Sequence, residues 1–147
     1  MAAPTNIWEY VTNLYGLDTP IIATFEAENA LETLTGTLVN MSSGQVAEGG
    51  ASFSSCLGLA AEATSAALSA ADPIRVTVLR PGDVIRGTAD ADASSLSGFN
   101  GKKSDLNADG TLDFADTTNG CLSVYRTEDS GLTVECVLTE FDHGSVN

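Results

Sequence analysis

The amino-acid sequence predicts a mainly all-β fold, a small β-barrel or sandwich built from two similar halves, with a short N-terminal helix or arm. Three observations predict it: short segments alternate apolar and polar residues, Gly- and Asp-containing turns separate them, and a weak internal repeat relates about 34–88 to about 98–141. We therefore divide the chain into an N-terminal arm or helix over 1–30 and a β-barrel domain over 31–147. A chain of 147 residues buries a sizeable core without a metal or disulfide.

The N-terminal segment has apolar residues at helical spacing after Pro4-Thr5-Asn6, namely Ile7, Trp8, Val11, Leu14 and Tyr15. This spacing predicts a short amphipathic helix. Two interpretations stay open. Either the helix packs on its own barrel, or the segment is an arm that contacts a neighbouring subunit through Trp8 and Tyr15, since such aromatic residues are enriched at interface hot spots.

The internal repeat consists of three blocks that recur in the same order. The first copy has blocks at 44–47, 56–59 and 74–79, and the second has them at 110–113, 121–124 and 132–138. The third block of each copy alternates in polarity and is rich in β-branched residues, which predicts a half-buried strand.

Turn residues predict how the strands connect. A Thr-rich strand over 31–40 is followed by a Ser-Ser-Gly turn, and Arg80-Pro81-Gly82-Asp83 is a tight turn between two strands. Residues 128–131 predict the loop of a hairpin. The segment 59–71 is rich in Ala and is followed by Asp72-Pro73, which would end a helix. It is therefore either a short helix or a long surface loop.

Charge restricts the partners. Twenty acidic and six basic residues give a net charge of −14, which repels phosphate backbones and anionic lipids, so we expect no nucleic-acid or membrane binding. No apolar run reaches the roughly 18 residues of a transmembrane helix, and the first residues do not have the pattern of a secretory signal. Cys56, Cys121 and Cys136 are odd in number and widely spaced, which favours small core thiols in a reducing compartment.

One motif has the spacing of a metal site. Oxygen-bearing residues occupy positions 1, 3, 5, 7, 9 and 12 of the segment 105–116, as Asp105, Asn107, Asp109, Thr111, Asp113 and Asp116. With Gly110 at position 6, this is the ligand spacing of an EF-hand loop, and it resembles the calcium loop of dockerin modules. In EF-hand and dockerin proteins, such a loop continues into a helix. The residues after Asp116 instead predict a turn and a strand. An Asx-rich turn therefore stays the alternative to a structural Ca²⁺ site, and no cofactor is required.

Groups for catalysis are scarce. His143 is the single histidine and lies near the C-terminus, and Asp90 and Asp92 lie in a polar loop rather than in a paired acid and base. The sequence therefore predicts a protein that is not an enzyme.

The chain from about Leu34 onward resembles the small β-barrel head-decoration, or cement, proteins of tailed bacteriophages. The resemblance lies in a Gly-x-Leu-Val strand at 36–39, a Gly-x-Val-Ala strand at 44–47 and a Leu-Gly-Leu strand at 57–59. An Ile-Arg-Val-Thr-Val strand at 74–78 with a Pro-Gly-Asp-Val corner at 81–84, and the strand Leu-Thr-Val-Glu-Cys-Val-Leu at 132–138, complete it.

This resemblance implies a structural virion protein, made in the host cytoplasm, that binds the major capsid protein on the outer surface of the head and stabilises the lattice. It is compatible with self-association as a trimer or another homo-oligomer. The first candidates for partner contact are Trp8 and Tyr15, and the second are Arg75, Arg80 and Arg86, whose alternative role is that of solvated residues discouraging strand-edge pairing. The alternative function is a calcium-dependent, dockerin-like adhesion or docking module.

Overall fold

The computed structural model describes residues 3–17, 19–49 and 55–140. Strands account for 42% of the residues, and the described residues form no α-helix, only two 3-10 turns at Ser94–Leu96 and Asp129–Gly131. The all-β prediction is therefore confirmed. The strands are β1 (Glu9–Asn13), β2 (Ile21–Glu26), β3 (Leu38–Ser42), β4 (Gln45–Glu48), β5 (Gly58–Ala60), β6 (Pro73–Val78), β7 (Asp83–Thr88), β8 (Asp105–Leu106), β9 (Leu112–Asp113), β10 (Leu122–Glu128) and β11 (Thr133–Leu138).

These strands pair into three antiparallel sheets. One sheet has five strands in the order β2-β6-β5-β3-β4, another has four in the order β1-β7-β11-β10, and β8 and β9 form a hairpin. The sequence allowed a β-barrel or a sandwich. The structure has open sheets packed on a common core and no closed barrel within the described residues.

The two halves share one topology, as the internal repeat predicted. In the second half, an antiparallel bridge between Ser104 and Leu122 connects β10 to the β8–β9 hairpin, so its order reads β7-β11-β10-β8-β9. This matches β2-β6-β5-β3-β4 strand for strand. The corresponding residues also bridge in both halves: Ala27 pairs in parallel with Val46, and Ala89 pairs in parallel with Leu112.

The main hydrophobic core lies between the two halves. Leu38 and Leu59 of the five-stranded sheet are in the same buried cluster as Ile85, Val134 and Cys136 of the four-stranded sheet. A second buried cluster lies on the opposite face of the five-stranded sheet, because neighbouring residues of a strand point to opposite faces. Its members are Ala27, Leu31, Val39, Val46, Leu57, Ala60, Ile74 and Val76.

The helix predicted over 7–15 is wrong, because this segment contains strand β1. Its residues pair with β7, with Glu9 opposite Arg86 and Asn13 opposite Asp83. A short apolar segment fits both a helical and a strand period, and here hydrogen bonding to an open sheet edge decides between them. The β-branched and aromatic residues Tyr10, Val11 and Thr12 also favour the extended form.

Other boundaries also differ from the predicted ones. The strand predicted over 31–40 begins only at Leu38, since Gly36 has a φ of +99° and its carbonyl accepts the Trp8 N–H instead of joining a ladder. The segment 61–72 is a loop, so the helical alternative for 59–71 is wrong. The predicted arm over 1–30 contains two strands of the main sheets, β1 and β2. The first repeat, predicted to extend to about 88, ends before β7, because β7 belongs to the sheet of the second half.

The predicted turns are present. Asp83 N–H donates to the Arg80 carbonyl at 3.0 Å and Gly82 has a φ of +84°, as a tight turn at 80–83 requires. Residues 128–131 connect β10 to β11 as a hairpin, and the 42–44 turn connects β3 to β4. All three cysteines are buried, and burial raises the pKa of the Cys136 thiol, so that thiol stays neutral. None of the described helical segments has the length and apolar character needed to cross a membrane.

Candidate functional site

The connection between β1 and β2 exposes three neighbouring large apolar side chains. Leu14 is 43% exposed, Tyr15 73% and Leu17 50%, and we call these three residues the apolar tip. Isolated exposed hydrophobic residues are ordinary on a protein surface, whereas several together mark an interaction surface. Tyr15, one of the residues predicted to contact a partner, is therefore available to do so.

The buried side chain of Asn13 holds the apolar tip in shape. Its Oδ1 accepts hydrogen bonds from the N–H groups of Tyr15 at 2.8 Å and Leu17 at 3.3 Å. Its Nδ2 donates to Asp83 Oδ1 at 2.8 Å and to the Pro81 carbonyl at 3.2 Å. Because these bonds hold the backbone of the tip in place, less conformational entropy is lost when a partner binds it.

The turn at 80–83 supports the tip from the other side. Asp83 accepts hydrogen bonds from the Arg80 backbone N–H at 2.8 Å and from its guanidinium at 3.1 and 3.2 Å. The N–H of Leu14 donates to the Gly82 carbonyl at 2.8 Å. A methyl group on Gly82 would lie 2.6 Å from Cδ2 of Tyr15, so the aromatic ring packs directly on this glycine. The structure thus brings Tyr15 and the Arg80 turn together.

Trp8, the other predicted aromatic anchor, is a core residue and not a surface contact. It is 2% exposed and belongs to the main buried cluster. Its Nε1–H donates to the Gly110 carbonyl at 2.8 Å, and a methyl group on Gly87 would collide with its ring. The sequence allowed either a helix packed on its own domain or an arm that contacts a neighbouring subunit. Trp8 packs on its own domain, but the segment around it is extended and not helical.

The predicted arginines are each bound to carboxylates of their own chain. Arg75, on the five-stranded sheet, contacts Glu62 at 3.4 Å. Arg86, on the four-stranded sheet, contacts Glu9 at 3.0 Å and Glu135 at 2.7 Å. Arg80 pairs with Asp83 in the turn. The three side chains therefore serve three separate sets of ion pairs, and only Arg80 adjoins the apolar tip.

The segment 105–116 folds as a hairpin, with Asp105 opposite Asp113. The Thr111 carbonyl, expected at ligand position 7, accepts the Asn107 N–H at 2.8 Å. The Asp109 carboxylate accepts bonds from the Thr111 hydroxyl at 2.6 Å and its N–H at 3.0 Å, and these bonds lower the pKa of Asp109. This geometry is that of an Asx turn leading into a strand.

Other candidate ligands of that segment also form hydrogen bonds within the protein. Asp113 Oδ1 accepts the N–H groups of Ala115 and Asp116, and Asn107 donates to Asp90 at 2.9 Å. In the described ranges, no group of three or more His, Cys, Asp or Glu residues converges in a way that could hold a metal ion. Calcium binding by Asp105, Asn107, Asp109, Thr111, Asp113 and Asp116 stays a prediction. His143 lies outside the described residues.

Sequence reasoning misses the residues that support the tip. The helical spacing includes Leu14 only as part of an apolar stripe and does not single out Asn13 or Leu17, and Asp83 is identified only as a turn residue. The Arg-Pro-Gly-Asp turn is the available signal, since an aspartate at a tight turn commonly bonds neighbouring backbone. Its contact with Asn13, 70 positions away along the chain, depends on the pairing of β1 with β7.

Neither a scan against protein-family models nor a search of the curated proteins found a match to this chain.

Proposed function

We propose that this chain is a structural virion protein that decorates the outer surface of a tailed-phage capsid, with the apolar tip as its contact with the major capsid protein. The observation that carries the proposal is the cluster of exposed apolar side chains Leu14, Tyr15 and Leu17 on an all-β body. The resemblance of the chain from Leu34 onward to phage cement proteins supplies the class of partner. The proposed activity is binding, without catalysis.

The physical requirements of a decoration protein agree with the composition. Such a protein adds buried area at many lattice sites, so a small contact at each copy suffices when many copies act together. A net charge of −14 leaves the exterior strongly acidic, which keeps decorated particles apart in solution. The stretch 10–17, which contains the apolar tip, has no charged residue, so the side chains of the tip themselves bury no charge on contact.

Sedimentation with undecorated phage heads tests the proposal. The purified full-length protein is mixed with heads of tailed phages and pelleted, and we expect it to co-sediment in a saturable, fixed ratio to the major capsid protein. A Tyr15→Ser, Leu17→Ser double variant should bind at least about tenfold more weakly, since it removes two exposed apolar anchors. Absence of co-sedimentation at any protein concentration would contradict the proposal.

A matched control separates the tip from general surface hydrophobicity. Leu34 and Leu132 are comparably exposed but lie outside the tip, so the Leu34→Ser, Leu132→Ser variant should bind heads as the unmodified protein does. Equal losses in the two double variants would show that the tip is not the contact. The fluorescence of Trp8, the single tryptophan, reports whether each variant is folded.

A calcium-dependent docking module is the second candidate, and the ligand spacing of 105–116 favours it. The same sedimentation experiment, repeated with a calcium chelator, distinguishes the two. Decoration through the apolar tip predicts co-sedimentation that the chelator leaves unchanged. A docking module predicts release of the protein when Ca²⁺ is removed.

A further inference from the structure

The five-stranded sheet ends at β2. No described strand pairs with the outer edge of Ile21–Glu26, and the next residue, Ala27, bridges Val46 of β4. In antiparallel pairing, alternate residues direct their backbone N–H and C=O groups to opposite sides of a strand. With β6 on one side, half of the backbone groups of β2 therefore face outward. Ile21 and Ile22 on this strand are 58% and 56% exposed.

The equivalent edge in the other half of the protein is covered. By topology, β2 corresponds to β7, and β7 has β11 on one side and β1 antiparallel on the other. The chain thus places a sixth strand at this position of the second half and leaves the same position of the first half open among the described strands. The repeat itself indicates that this edge has the geometry to accept an antiparallel strand.

The other sheet-end strands carry more of the features that prevent pairing than β2 does, whose charged residue, Glu26, is at its last position. Strand β1 contains a bulge between Tyr10 and Thr12, β10 has a bulge and charged residues, and β4 is only four residues long. Bulges, charges and short length are the common protections of natural edge strands. By contrast, β2 pairs regularly with β6 over six residues, and its first five residues are uncharged.

The nearly uncharged and self-complementary sequence of β2 fits a second copy as the occupant at this edge. Two copies with a net charge of −14 repel each other over most of their surfaces. The stretch 10–25, which includes most of β2, has one charged residue, Asp18, so repulsion is least where these stretches meet. An antiparallel pair of β2 strands is also self-complementary: when Ala23 lies on the two-fold axis, Ile21 faces Phe25 of the second copy, a favourable aromatic and β-branched pair.

We propose that the protein forms a two-fold symmetric dimer in which the β2 strands of two copies pair antiparallel and join their five-stranded sheets. The interface is formed by β2 and not by the side chains of the apolar tip, and the inference does not depend on the proposed function. It requires no capsid component and is measured on the purified chain alone.

Sedimentation velocity over a wide range of protein concentrations tests the dimer. We expect a concentration-dependent shift from monomer to dimer. Ile22→Lys should raise the dissociation constant by at least about tenfold, because a lysine on an edge strand opposes pairing with another strand. Leu132→Lys, at a comparably exposed leucine outside β2, should leave the dissociation constant unchanged. Monomer at every concentration, or equal effects of both variants, would overturn the proposal.

A cysteine placed on the axis tests the register. Ala23→Cys puts the two thiols opposite each other, at a spacing within disulfide reach, whereas the three native cysteines are buried. Air oxidation should yield a covalent dimer, and Ile22→Lys in the same chain should suppress it. A covalent dimer that forms equally well with Ile22→Lys would overturn the β2 interface.

Discussion

At the scale of single residues, the most informative feature is a row of alternating charges across the four-stranded sheet. Glu9, Arg86, Glu135 and Arg126 are cross-strand neighbours on β1, β7, β11 and β10. The Arg126 Nε and Arg86 Nη2 atoms each lie 2.7 Å from a carboxylate oxygen of Glu135, whose side chain is 2% exposed. Cross-strand pairs of opposite charge stabilise a sheet, and here each strand junction has one.

Glu135→Gln removes the centre of this row. We expect the free energy of unfolding at neutral pH to fall by about 1.5–3 kcal/mol, the range for hydrogen bonds to charged groups, as measured by denaturant titration. Glu128→Gln is the control, because Glu128 is exposed and 4.0 Å from Arg126, and it should change stability by less than about 0.5 kcal/mol. Equal effects would contradict the role given to Glu135.

The pH dependence has a defined sign. Hydrogen bonds from Arg126, and then from Arg86, hold the pKa of Glu135 below its ordinary value of 4.5, against the opposing effect of burial. A lowered folded-state pKa contributes stability above the unfolded-state value, and this contribution is lost as the pH falls through the folded-state value. The difference in stability between the unmodified protein and Glu135→Gln should therefore shrink when the pH is lowered below 4.5. A difference that stays constant would contradict this origin of the stability.

At the scale of elements, the turn at 80–83 joins the halves and also supports the apolar tip. Gly82 meets two requirements, a φ of +84° and room for the Tyr15 ring. Gly44, in the turn between β3 and β4, has a similar φ of +80°, but a Cβ atom added there would meet no other atom within 4 Å. Alanine substitutions at these two glycines therefore separate the effect of backbone strain from the effect of contact with the Tyr15 ring.

Gly82→Ala should therefore destabilise the protein more than Gly44→Ala does. Both substitutions introduce left-handed strain of about 1 kcal/mol, and Gly82→Ala adds a collision with Tyr15 of about 1–2 kcal/mol. Thermal unfolding measures both, and the Gly82→Ala, Tyr15→Ala double variant should recover part of the loss. If the two single variants are equally stable, the packing of Tyr15 on Gly82 contributes nothing.

At the scale of the whole molecule, the two halves share one core. Leu79 belongs to the first half by sequence, yet it is fully buried in the cluster that contains Ile85 and Cys136 of the second half. β1 precedes both repeats and pairs with the second of them. Neither half can therefore bury its apolar face without the other.

We expect a single cooperative unfolding transition, with equal calorimetric and van't Hoff enthalpies. Leu79→Ala should lower the free energy of unfolding by about 2–5 kcal/mol while the transition stays single, because the cavity weakens the shared core. Two resolved transitions, or a Leu79→Ala variant in which one half unfolds before the other, would contradict a common core.

The sequence by itself determined the all-β class, the two similar halves and the three turns, because these depend on local rules. Alternating polarity sets strands, Pro and Gly restrict φ at turns, and the repeat shows that one topology is used twice. It also identified Tyr15 as a candidate contact residue, but it could not separate Tyr15 from Trp8, since both lie in the same apolar segment.

Only the tertiary structure decided the conformation of 7–15, the burial of Trp8 and the partners of the arginines. Each of these depends on which strand edge a segment reaches, and pairing between β1 and β7 joins Asn13 to Asp83, far apart in the chain. The cost of leaving backbone hydrogen bonds unmade on a buried edge outweighs the weak helical preference of a short segment. Long-range pairing, and not local propensity, therefore decides which side chains form the apolar tip and which enter the core.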